Sequence, residues 1–94
     1  MAVSLTCTAV VRRAGRHYVR WGDGAELEFD SLAGVRAFIR CARMSRVDGP
    51  KDLLRAMLLD WWLEQNQSGD NPALLEGRTV TYNPALPANI VRVT

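Results

Sequence analysis

Histidine, cysteine and lysine are scarce in this 94-residue chain, which holds one histidine (His17), two cysteines (Cys7 and Cys41) and one lysine (Lys51). A single histidine leaves no histidine cluster for a metal, and no HExxH, CxxC, phosphate-binding glycine loop or Gly-x-Ser-x-Gly occurs. Cys7 and Cys41 have no paired metal-ligand spacing, and two cysteines make no disulfide scaffold. Both are expected on apolar faces, as small free hydrophobes. No apolar run reaches the roughly 20 residues that cross a bilayer as a helix. The first residues lack the basic start and long apolar stretch of an export signal. These absences set the expectations: no catalytic residues, no metal, no cofactor, no small-molecule substrate and no membrane partner. The expected location is the cytoplasm.

What is present is ordinary globular material, 48% hydrophobic and 23% charged, enough for one core in a single domain over residues 1–94. Val3, Leu5, Cys7, Ala9 and Val11 recur with the period of two of a half-buried strand, leaving Ser4, Thr6, Thr8 and Arg12 on its other face. Gly15 sits in a turn before a second strand, His17–Trp21. Gly22-Asp23-Gly24 marks another hairpin, where an Asp-Gly pair favours the primed turns. A third strand follows, with Glu26, Glu28 and Asp30 outward as a solvated edge. From Leu32 to about Ser45 the period becomes helical, with Val35, Phe38, Cys41 and Ala42 inward and Asp30-Ser31 as capping candidates. Asp48-Gly49-Pro50 opens a second helix to about Gln67. A single turn at Ala73–Glu76, then strands at Thr79–Tyr82 and Ile90–Val93 around a proline-rich connection, complete the order β-β-β-α-α-β-β. That is an α+β domain.

Two features stand out as binding candidates. The first is arginine: eleven of the twelve basic residues are arginine. Residues 1–47 hold eight arginines against four acids, whereas residues 48–94 hold four basic residues against six acids. Arg12, Arg13 and Arg16 cluster at a hairpin tip, and Arg36, Arg40, Arg43 and Arg46 form a stripe along the first helix. Such a stripe suits phosphates or an acidic partner, with Trp21 or Tyr18 available to stack on a base. A GC-rich genome yields the same arginine excess, and a solvated helix face the same stripe. The second feature is the second helix, where nine of the eleven residues from Leu53 to Leu63 are apolar. A helix apolar nearly all round must be covered nearly all round. Either Leu74–Leu75 covers the last face, or another subunit does so over Leu59, Trp61, Trp62 and Leu63.

The run Arg20-Trp21-Gly22-Asp23-Gly24, continued by Glu28-Phe29-Asp30-Ser31-Leu32 and an arginine-rich helix, resembles small uncharacterised proteins of phages and prophages over about the first half of the chain. The resemblance implies a viral or prophage origin, a virion as a second location, and a binding or assembly role. It carries over no functional residues. The resulting expectation is a non-enzymatic interaction or assembly protein, contacting itself or another protein such as a virion subunit. A nucleic-acid-binding module is the alternative.

Overall fold

Alternation in the first third of the chain builds three adjacent strands. They are β1 (Val3–Arg13), β2 (Arg16–Trp21) and β3 (Glu26–Phe29). Helices α1 (Leu32–Arg43) and α2 (Pro50–Gln65), a 3₁₀ turn (Pro72–Leu75) and strands β4 (Thr79–Tyr82) and β5 (Val91–Val93) follow. The computed structural model describes residues 3–44, 50–69, 71–82 and 91–94, so the expectations for Asp48-Gly49, Arg46 and the proline-rich connection fall outside the described residues. The fold is α+β, with one antiparallel sheet in the order β3-β2-β1-β4-β5.

One face of the sheet carries Leu5, Cys7, Val19, Trp21, Phe29 and Val80, all buried, and packs against the helices. The opposite face carries Arg13, Arg16, Arg20, Glu26 and Glu28, all exposed. The alternation of β1 is interrupted by a bulge. Cys7 pairs with Trp21 but Ala9 with Arg20, so Thr8 is the extra residue. Beyond it every side chain changes face. Val10, opposite buried Val19, turns to the core, and Ala9 and Val11 join the open face opposite Arg20 and Tyr18. The expected common face for Val3 through Val11 therefore ends at Cys7.

The β1–β2 turn places Ala14 and Gly15 at φ 51° and 78°, the two positive values of a primed hairpin. The second turn is wider than its Asp-Gly pair suggested. Register runs from Arg20 to Glu26, and Asp23 keeps a negative φ. It closes through Trp21 N–H to Ala25 O and Gly24 N–H to Trp21 O, each 3.0 Å. Ser31 caps α1, its hydroxyl accepting from Gly34 N–H at 3.2 Å.

On α1 the buried residues are Val35, Ile39 and Ala42. Cys41 stands about 120° round the helix from Val35 and is exposed, contrary to the sequence expectation, and Phe38 is half-buried. Helix α2 is enclosed by the sheet, α1 and the 3₁₀ turn. Its Leu54, Leu58 and Leu59 are fully buried, each worth about 1.5–3 kcal/mol relative to exposure.

Candidate functional site

The apolar second helix is satisfied largely by its own chain. Leu59, Trp62 and Leu63 are 1%, 5% and 8% exposed, buried within the chain itself. The cover is the segment after the helix: Leu75 is buried, and Trp62 Nε1–H donates to Asn71 O at 2.9 Å. The neighbouring indole diverges, as consecutive helical positions must. Trp61 is half-buried on the flank, with the Arg78 guanidinium 5.1 Å from its ring centroid. Of the four expected interface residues, only Trp61 is half-buried rather than buried.

The hairpin arginines are divided between the two faces of the sheet. Arg13 lies over the Tyr18 ring at 4.3 Å and reaches Glu26 at 3.7 Å. Arg20 bonds Glu26 at 2.9 Å, and Arg16 pairs with Glu28. These exposed pairs contribute little to stability, but they neutralise the open face and make Glu26 and Glu28 partners of arginine. Arg12 stands apart on the helix-side face, opposite His17, without an ion pair among the described residues. On α1, Arg43 pairs with Asp60 of α2. Arg36 lines an open groove of about 540 Å³ with Asp60, Leu63 and Glu64. Arg36 and Arg40 are exposed and have no ion pair among the described residues.

Arg55, an interruption in the apolar run, is the one buried charged side chain among the described residues, 6% exposed. It donates to Asp52 Oδ1 at 2.6 Å and to Asp23 Oδ2, and its guanidinium lies 5.8 Å from the Trp21 ring centroid. Lys51 Nζ is 4.0 Å from Asp23. The Ala25 N–H and then the Arg55 guanidinium hold the Asp23 carboxyl below its ordinary range, outweighing desolvation. This cluster ties the β2–β3 turn to α2, so Asp23 works as a structural clamp. The core thiol of Cys7 is pushed up to about 11, chiefly by burial.

A third region was missed in the sequence. Strand β1 is 11 residues long and β4 only four, so β4 covers β1 from Val3 to Thr6 and the chain then leaves the sheet. Cys7 still exchanges bonds with Arg78 and Gly77, and Val10 N–H donates to Glu76 Oε1 at 3.1 Å. Backbone groups alternate sides along an antiparallel strand, so Arg12, like Val10, turns its N–H and C=O away from β2. Beside that free edge runs a groove of about 360 Å³ lined by Val10, Arg12, His17, Gly69, Pro72, Ala73 and Glu76. It adjoins a mainly apolar pit of about 100 Å³ between sheet and helices, walled by Val19, Phe29, Leu32, Val35, Leu59, Trp62 and Leu75, with Asp30 and Ser31 also on its lining. Val10, His17, Gly69 and Pro72 line both. His17 is half-buried here, because its partner Phe29 places it on the helix-side face. The strand-length mismatch was the available signal, but it needs the pairing of residues more than 70 positions apart. Among the described residues no group of three or more His, Cys, Asp or Glu could hold a metal ion. No protein family, curated protein or solved structure matches the chain.

Proposed function

We propose that the protein is a non-enzymatic interaction module that binds an extended segment of another protein at the hairpin end of its sheet. The observation that carries this reading is the edge of β1 beyond β4, where Arg12 has no strand partner on that side among the described residues and Val10 N–H is held only by the Glu76 carboxylate, set beside a groove that opens into a mainly apolar pit. Unpaired strand edges recruit strands, and apolar pockets give such pairing its selectivity. The phage or prophage setting and a role in assembly belong to the same proposal, a virion subunit being one class of partner. The test is site-specific photo-crosslinking in the cells that make the protein. A photoreactive residue at Ala73, in the groove, should give a discrete heterologous adduct, whereas one at Ala37, on exposed α1, should not. Equal capture at both positions, or none at Ala73, overturns the reading, and an adduct of twice the chain mass replaces it with self-association.

Arg36 and Arg40, exposed one turn apart on α1 without an ion pair among the described residues, favour a second reading, contact with nucleic-acid phosphates. Duplex binding would then weaken with salt, and replacing both arginines by Gln would flatten the log–log slope by about 2. No binding at about 50 mM salt removes that reading.

A further inference from the structure

The edge of β1 beyond β4 fixes more than a location. Val10 and Arg12 share a face two residues apart, Val10 lining the pit and Arg12 the groove. A strand laid along this edge would repeat that spacing, with one side chain over the pit and the next on its face beside Arg12. The pit, at about 100 Å³, is smaller than the roughly 150 Å³ cavity that takes benzene, so a branched aliphatic group fits and an aromatic ring does not. The guanidinium of Arg12 has no carboxylate partner among the described residues, whereas Arg13 and Arg16 are each met by a glutamate. A second copy is a poor occupant. Antiparallel pairing of two β1 edges would gather the Arg12 and Arg13 side chains of both copies, and like charges across a ladder repel. Opposite Arg12 an acidic side chain is the complementary one, while the groove's own carboxylate, Glu76, is held at Val10.

We propose, resting on the protein-binding reading above, that the groove takes an extended acidic peptide as an added strand antiparallel to β1, with an acidic residue opposite Arg12 and a branched apolar residue two positions later seated in the pit. Antiparallel pairing is the more stable ladder and sets this order. The acidic residue exchanges its N–H and C=O with Arg12. The apolar residue does the same with Val10, taking over the N–H now held by the Glu76 carboxylate.

The probe is a fluorescein-labelled peptide, Thr-Thr-Glu-Thr-Val-Thr-Thr, read by fluorescence anisotropy on the full chain. Saturable binding is expected, weakened about tenfold by Arg12→Glu and by replacing the peptide's Val with Phe. Methylating the amide nitrogen of the peptide's Glu, which removes one strand bond without touching the protein, should abolish binding. Arg12→Pro, tolerated at a strand edge, should do the same. No saturation up to about 1 mM, or binding indifferent to the methylated amide, overturns the proposal. If an Ala73 adduct forms while the peptide fails, strand addition falls and the interaction reading stands. Failure of both removes both.

Discussion

Removing the carboxylates around Arg55 should cost more stability than removing Arg55 itself. The side chain of Arg55 is 7% exposed, against 17% for Asp23 and 25% for Asp52. The double variant Asp23→Asn/Asp52→Asn strands a guanidinium where water scarcely reaches, and breaking a buried pair from one side costs about 3–5 kcal/mol. Arg55→Met leaves two carboxylates near the surface, free to turn outward, and its thioether keeps packing against the Trp21 ring. Replacing buried charge by a hydrophobe of similar volume is often near neutral, so a loss of about 0–2 kcal/mol is expected. Urea unfolding followed by tryptophan fluorescence measures both. With m of about 1–3 kcal/mol/M, the double variant should lose at least about 1 M in midpoint. The acid limb is a second readout. The folded carboxyl of Asp23 titrates below its unfolded value, so its contribution is complete above about pH 4 and is lost as pH falls through the folded value. Arg55→Met should flatten that limb. If Arg55→Met proves the more damaging change, the clamp reasoning is refuted.

The two adjacent tryptophans should separate cleanly. Trp62→Ala should destabilise by about 3–5 kcal/mol, whereas Trp61→Glu should keep the fold, and unchanged sedimentation of that variant would remove Trp61 as a subunit contact. Thiol labelling at pH 8 should consume one equivalent per chain, at exposed Cys41. With the Cys7 thiol at about 11, only about one molecule in a thousand carries its thiolate at that pH, so rapid native labelling of both thiols would contradict its burial. Gly69 sits at φ +72°, where an added Cβ would lie 2.4 Å from Leu32 Cδ2. Gly69→Ala should therefore cost about 1–3 kcal/mol in thermal or urea unfolding, and a neutral result would mean the loop does not pack there.

Local chemistry made much of the fold legible. Period-two runs with β-branched residues, a glycine at φ 78° in the first turn, the Ser31 cap and the change to a helical period were readable because each depends on neighbours within a few positions. Helix α2 was readable as a helix needing full cover, since nine apolar residues in eleven leave no solvent face. What covers it was not readable. Leu75 and the Asn71 carbonyl reach Trp62 only after the chain reverses, and a second subunit satisfies the same pattern equally well. The bulge at Thr8 was invisible for a similar reason. Thr8 looks like any other alternating residue, and only the partner strand's register shows that Val10 turns inward and Ala9 and Val11 outward. Arg12, Arg13 and Arg16 read as one cluster because charge is counted along the sequence. Pairing places Arg12 on the helix-side face and gives Arg13 and Arg16 their glutamates. Sequence by itself determined the elements, their order and the demand for burial, all set by short-range periodicity and side-chain chemistry. Tertiary structure alone decided which faces stay open and where β1 runs on past β4, because those depend on where a four-residue strand ends against an 11-residue one.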